Sequence, residues 1–352
     1  MPRLCRAALA LIMIAVPALA KEPTVPIVIA HRGTSGERPE NTLASYSLAI
    51  EQGADFIEPD LVLTRDGQFV ARHENEISET TDVASRPEFR DRKTSKTIDC
   101  KKITGWFTDD FTLAELKTLR ARERLPLLRS ANKAYDGQFE VPTLGEIIAL
   151  AKDASQRTGR TIGIYPETKH PSYFASIGLP MEALLVAELK AAGWDSADAP
   201  VFIQSFEVNN LKALKALTKI RLIQLIDAEG APADRAQPSY AAMITPEGLK
   251  AIAGYAAGIG PHKSLVVGND GAATALVGDA HAAGLKVHPW TFRAENFFLP
   301  SGLRKGLNPA GHGRLDEEIA RHLAAGVDGF FTDYPYIGAQ ARGAYMRQAS
   351  ER

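Results

Sequence analysis

The sequence has little that would staple it. Two cysteines, Cys5 and Cys100, occur in 352 residues, far below the density of a disulfide scaffold. An excess of one charge sign is also missing. The 41 Lys and Arg against 42 Asp and Glu leave a formal net charge of −1, without the cationic surplus that nucleic-acid binding requires. No G-x-G-x-x-G follows an early strand, no G-x-S-x-G nucleophile elbow is present, and no H-E-x-x-H zinc helix occurs. These gaps exclude the motif-based dinucleotide, ester-hydrolase and zinc-peptidase readings. The chain is otherwise 45% hydrophobic and 24% charged, ordinary values for a globular protein with an ample core.

What is present begins with Arg3 and Arg6, followed by the apolar stretch Ala7 to Val16, Pro17 and Ala18-Leu19-Ala20. A basic, then apolar, then small-residue order is that of a secretory signal peptide. The apolar part is shorter than the roughly 20 residues of a membrane span. Residues 1–20 are therefore expected to be removed near Ala20, placing the mature chain in the periplasm or outside the cell. Cleavage removes Cys5 and leaves Cys100 as the single thiol, so no internal disulfide is expected. Cys100, between Asp99 and Lys101 in a polar stretch, is read as incidental.

A helix–glycine–strand unit recurs along the chain. Examples are Ser45 to Gln52 with Gly53 before Phe56-Ile57-Glu58, Ala191-Ala192-Gly193 before Val201 to Gln204, and Ala282-Ala283-Gly284 before Leu285 to His288. The last is Ala324-Ala325-Gly326 before Val327 to Asp333. Glycine just past a helix accepts the left-handed cap conformation, and short Val/Ile/Phe runs between helices read as buried parallel strands. Such runs span Ile27–Ala30, Phe56–Val62, Thr161–Tyr165, Val201–Gln204, Arg221–Ile226, Ala257–Ile259, Lys286–Pro289 and Gly329–Thr332. Eight of them with intervening helices predict an α/β fold, a TIM-type (β/α)8 barrel, ahead of a doubly wound open sheet. Thr112-x-x-Glu115 and Thr143-x-x-Glu146 have capping-box spacing. Residues 74–139 break the unit and are charge-rich, which predicts an insertion after the second strand region, over one end of a barrel domain spanning 21–345.

The C-terminal ends of the predicted strands carry His31-Arg32, Glu58, Asp60, Glu167, Lys169, Gln204, His288, Trp290 and Asp333. In such a barrel these ends line the active site. Glu58 and Asp60, two apart on a strand, share one face, and side-by-side burial of two carboxylates is costly without a cation. With Glu167 as a third ligand, the oxygen set suits a hard divalent ion, Ca²⁺ or Mg²⁺, better than zinc. Ion pairs with Arg32 and Lys169 are the alternative use of the same carboxylates. Thr64-Arg65-Asp66-Gly67 reads as a tight turn that returns His73 to the mouth holding His31. Two imidazoles there make an acid–base pair, although single histidines often serve only as hydrogen-bonded structural groups. Arg32 and Lys169 suit a phosphate. Trp290, Phe206 and Phe292 either wall the substrate or fill the barrel top; His262, His288 and His312 take no role.

Taken in order, Ala30-His31-Arg32-Gly33, Pro39-Glu40-Asn41-Thr42, Gly53-Ala54-Asp55, Glu58-x-Asp60, Thr64-x-Asp66-Gly67 and His73 resemble the glycerophosphodiester phosphodiesterases. Val141-Pro142-Thr143-Leu144, Glu167-x-Lys169, Gln204-x-Phe206 and Thr332-Asp333 continue the likeness to about Tyr336. The insertion, Ile162 to Glu167 and Val287-His288-Pro289-Trp290 look like the periplasmic branch. The resemblance implies hydrolysis of soluble glycerophosphodiesters, such as glycerophosphocholine or glycerophosphoethanolamine, to sn-glycerol 3-phosphate and an alcohol. It also implies one divalent cation, Ca²⁺ ahead of Mg²⁺, on Glu58, Asp60 and Glu167. His31 and His73 become the catalytic pair, and Arg32 and Lys169 the phosphate contacts; Gln204 and Trp290 are expected on the substrate. The family usually has Asp after the second histidine, where this chain has Glu74. Two rival readings are a lipid head-group phosphodiesterase, similar to sphingomyelinase D, and a binding protein without catalysis.

Overall fold

The computed structural model describes residues 25–351; the expected signal peptide, residues 1–20, lies outside them. The strands, in chain order, are β1 (Ile27–His31), β2 (Phe56–Glu58), β3 (Asp60–Leu63), β4 (Phe69–Ala71), β5 (Thr94–Ile98), β6 (Lys101–Gly105) and β7 (Gly163–Ile164). They continue with β8 (Glu167–Thr168), β9 (Phe202–Ser205), β10 (Arg221–Ile226), β11 (Gly258–Pro261), β12 (Lys286–Val287) and β13 (Gly329–Thr332). Two of the barrel staves are broken by proline, which has no N–H for the ladder: β2 and β3 flank Pro59, and β7 and β8 flank Pro166.

Parallel pairing runs β13-β1-β2-β7 and β12-β11-β10-β9-β8-β3. The last seam is closed by Asp328 N–H to Val287 O and Phe331 N–H to Pro289 O, both 3.0 Å. The result is the expected eight-staved (β/α)8 barrel, with each run predicted from sequence lying in its own stave. The third stave differs most, because Pro166 interrupts it and it resumes at Glu167. Gly53, Gly193, Gly284 and Gly326 all have positive φ, from 77° to 97°, as the recurring helix–glycine–strand unit requires.

Both capping boxes form. Thr112 caps the helix Leu113–Leu116 with Glu115, and Thr143 caps Leu144–Thr158 with Glu146; losing either hydroxyl costs about 1 kcal/mol. The turn at Gly67 pairs β3 with β4 antiparallel, Leu61 opposite Ala71, and so returns the chain to the mouth. Between β4 and the helix Leu144–Thr158 lie the antiparallel β5–β6 hairpin and several short 3-10 turns. Inside the barrel, Ile29, Tyr165, Phe202, Ile223 and Phe331 form a plug. Tyr165 stacks on Phe202 at 4.9 Å, and its hydroxyl meets His288 Nδ1 at 2.8 Å. No helix among the described residues is long and apolar enough to cross a membrane.

Candidate active site

Above the plug, the C-terminal strand ends enclose a cavity of about 280 Å³, lined by His31, Arg32, Glu58, His73, Glu167, Lys169, Gln204, Phe206, Trp290 and Arg293 among others. Sequence-distant side chains converge here because every stave points its C-terminal end at the same mouth. Glu58, Asp60 and Glu167 each present an oxygen within 4.8 Å of the others. All three side chains are buried.

Their partners are unequal. Asp60 has Arg32 Nε at 3.0 Å and accepts from Asn41 Nδ2 at 2.9 Å. Glu167 accepts from Lys169 Nζ at 2.9 Å. Glu58 has no cationic side chain on it among the described residues; it accepts from the Arg32 amide at 2.7 Å and from Gln204 Nε2 at 3.3 Å. Burial, then Asp60 and Glu167, push the Glu58 carboxyl well above its usual range. Burial also pushes up Glu167, to about 7, against the pull of Lys169. Burial acts the same way on Asp60, but Arg32, His73 and Lys169 outweigh it and hold that carboxylate low. Asp60 Oδ1 is buried with no hydrogen-bond partner. An orphaned carboxylate oxygen beside two others fits a hard cation, so the donor set suits Ca²⁺ or Mg²⁺. The ion pairs expected as the alternative are also present, but they satisfy only part of the cluster.

Arg32 reaches this arrangement through an uncommon backbone. Its φ is 58°, and Asn41, whose amide bonds Arg32 O, has φ 55°. Left-handed non-glycine residues of this kind concentrate at functional sites. The loop Pro39 to Thr42 is the scaffold. Glu40 Oε2 pairs with Arg32 at 3.1 Å and with Arg124 at 2.9 Å, and Thr42 caps the helix Leu43–Glu51.

The two histidines line one cavity, each with Nδ1 already engaged. His31 Nδ1 donates to Asp333 Oδ1 at 2.6 Å, and His73 Nδ1 lies 2.9 Å from Glu74 Oε1. Nε2 is thus the nitrogen each has free for chemistry. Burial, then Arg32, lower His31 to about 4 against Asp333; burial, then Arg32 and Lys169, lower His73 to about 4 against Asp60 and Glu74. Without substrate, burial and the two cations therefore favour the neutral form of each ring. A phosphodiester against Arg32 and Lys169 cancels part of the positive field that lowers them.

Several residues that hold the site were not assigned roles from sequence. Asp333 bonds Arg293 at 2.9 Å and also pairs with Arg129, from the 74–139 stretch, whose Nε meets Glu295 at 2.6 Å. Asp333 did have a signal, its place at a strand end beside Thr332; Arg129 had none. Trp290 and Phe206 meet edge-on at 5.6 Å in the cavity wall. Phe292, expected in the same wall or the barrel top, is fully buried instead against Phe330 and His322. β12 ends at Val287, so the two-residue alternation no longer carries Phe292 to the face of Trp290.

The chain matches the glycerophosphoryl diester phosphodiesterase family over residues 31–337. A glycerophosphodiester phosphodiesterase of Arabidopsis thaliana is 37% identical over 325 residues, covering 88% of this chain and 84% of that protein. One from Haemophilus influenzae is 29% identical over 349 residues, covering 89% of each. Among solved structures, a phosphodiesterase of Oleispira antarctica in complex with its product sn-glycerol-3-phosphate superposes with a TM-score of 0.61 at 26% identity, covering 90% of this chain and 96% of that one. With its barrel, its acidic cluster and its paired histidines at one mouth, the chain belongs to the glycerophosphoryl diester phosphodiesterase family.

Proposed function

We propose that the protein hydrolyses soluble glycerophosphodiesters, such as glycerophosphocholine, to sn-glycerol 3-phosphate and an alcohol. The observation that carries this is the joint placement of His31, His73, Arg32 and Lys169 around a cavity at a cluster of three carboxylates, two of which, Glu58 and Glu167, line it. Binding alone needs neither acid nor base, so two poised imidazoles favour turnover over capture. The product complex of the Oleispira antarctica phosphodiesterase supports the same small-molecule chemistry.

Glu58, Asp60 and Glu167 would hold one divalent cation, Ca²⁺ ahead of Mg²⁺, which would supply Lewis-acid stabilisation and a template for the substrate oxygens. Arg32 and Lys169 neutralise charge growing on the phosphoryl oxygens. One imidazole removes the proton from the attacking oxygen through Nε2; the other, protonated at Nε2 once the bound phosphodiester offsets the Arg32 and Lys169 charges, gives that proton to the departing alcohol. The attacker is the glycerol 2-hydroxyl, which gives a cyclic phosphate that water then opens; attack from within the substrate gains proximity. Gln204 and Trp290, both in the cavity lining, contact the substrate. The basic-then-apolar N-terminus supports export, with the enzyme acting in the periplasm or outside the cell.

Release of glycerol 3-phosphate from glycerophosphocholine, with chelator and with added Ca²⁺ or Mg²⁺, is the test. Cation-dependent release is expected. No release under any condition would favour the binding reading, and release only from intact phospholipid would favour the head-group enzyme.

A further inference from the structure

We propose that His170 is a positioning residue for the reaction. Asp99 and His170 together fix the Glu74 carboxylate, and through it the ring of His73. The inference rests on the reading that His73 carries a proton in catalysis.

Four side chains form one continuous line. Glu74 divides its two oxygens: Oε1 lies 2.9 Å from His73 Nδ1, and Oε2 accepts from His170 Nε2 at 2.8 Å. His170 Nδ1 then donates to Asp99 Oδ2 at 2.7 Å. The members come from three separate places, namely the exit of β4, the tip of the β5–β6 hairpin and the exit of β8. Nothing local in the sequence brings them together.

The backbone at these places is held in a sparsely populated region. Asp99, Cys100 and His170 have φ of 47°, 65° and 50°. Asp99 and Cys100 fill the two central positions of a tight hairpin turn that ordinarily calls for Asn-Gly or Asp-Gly. Such conformations persist where the surroundings over-determine them. Arg235 helps here, with its guanidinium 3.2 Å from Cys100 Sγ.

A histidine between two carboxylates keeps its proton. Burial lowers His170, but the hydrogen bonds to Asp99 and Glu74 outweigh it and raise it to about 9. Both ring nitrogens therefore donate, and Glu74 is free to accept from His73 Nδ1–H, which leaves Nε2 of His73 with its lone pair. The length of Glu74 has a use in this arrangement. A carboxylate one methylene shorter reaches one imidazole, whereas Glu74 spans two.

The groups facing His73 are Arg32 and Lys169, which lower its pKa, and Asp60 and Glu74, which raise it; the buried Glu40 carboxylate also interacts with it. The His170 charge sits behind Glu74 and weakens its pull. His170→Gln keeps a donor but removes the charge. It is expected to lower kcat roughly 10-fold, less than the ~100-fold for a transferred proton, with KM within about twofold. The limb of the pH–rate profile set by His73 moves to higher pH. Asp99→Asn at the exposed tip moves both readouts the same way by less. Glu74→Asp combined with His170→Gln is no worse than the more severe single variant, because both cut one line.

Additive effects in the double variant, or a fall in rate with an unmoved pH profile, would overturn the assignment. The His73 imidazole, titrated by NMR in the Ca²⁺-supplemented protein, separates this from the function itself. An upward shift in His170→Gln upholds the line even if the wild-type protein hydrolyses nothing; no shift rejects it whatever the activity.

Discussion

Asp333 Oδ1 and His31 Nδ1 stand 2.6 Å apart, although 302 residues separate them in the chain. The carboxylate closes the last stave and the imidazole ends the first, and β1 and β13 are neighbours in the barrel. Burial pushes Asp333 up, but Arg293, Arg129 and His31 outweigh it and hold it well below the usual carboxylate range. It therefore stays ionised and orients the ring. Asp333→Asn should lower kcat by at least ~10-fold, and His31→Ala by at least ~100-fold, with melting temperature recorded alongside. Near-normal kcat in a folded His31→Ala protein would remove His31 from the mechanism.

Glu58 is the carboxylate with the least compensation. Glu58→Gln keeps an acceptor for the Arg32 amide and relieves the crowding with Asp60 and Glu167. The metal-free variant is expected to be more stable than metal-free wild type by about 1 kcal/mol, since buried like charges disfavour folding. It should also lose Ca²⁺ binding by calorimetry. A destabilised variant that still binds Ca²⁺ would place the ion elsewhere.

Arg129 joins the 74–139 stretch to the mouth through Glu295 and Asp333, with Nη1 donating to Ser35 O at 2.9 Å. Arg129→Met leaves the buried Glu295 carboxylate with no cation among the described residues and only the Tyr334 hydroxyl, while Asp333 keeps Arg293 and His31. A loss of about 3–5 kcal/mol follows from breaking such a pair on one side. Urea denaturation measures it; a loss under about 1 kcal/mol would show that water or another cation replaces the guanidinium.

The β5–β6 hairpin should loosen in alkali. His170 has a folded-state pKa raised from 6.5 to about 9, so its contribution is complete below about 6.5. It declines as pH rises towards about 9 and is gone above that. Hydrogen exchange of the 94–105 amides, corrected for intrinsic rates, should show protection falling across this window in wild type and staying flat in His170→Gln. Constant wild-type protection would contradict the sign.

Attack by the glycerol 2-hydroxyl makes that group obligatory. A substrate identical to glycerophosphocholine but lacking the 2-hydroxyl should bind as a competitive inhibitor and release no choline. Its cleavage at a comparable rate would establish water as the attacker.

Much of this site was legible in the sequence because it sits on regular elements. Glu58 and Asp60 share a face by strand alternation, and the Asp66-Gly67 turn sends His73 back beside that strand. Thr112 and Thr143 announce their helices by spacing alone. What stayed hidden obeys no period. Arg129 meets Asp333 across 204 residues of sequence, and a charge in a loop carries no sign of its partner. The left-handed backbone of Arg32 is equally silent, because tertiary contacts impose it against local preference. Phe292 was ambiguous for another reason: an aromatic residue near a strand end serves a wall or a core equally well, and here it packs on Phe330 and His322.

The aromatic plug has a consequence for traffic. Phe331 belongs both to that plug and to the cavity wall, so packed aromatic rings close the barrel interior beneath the site. On the proposed reaction, a glycerol phosphate half held at the carboxylates would lie below its own leaving group, and the alcohol would depart before the phosphate product.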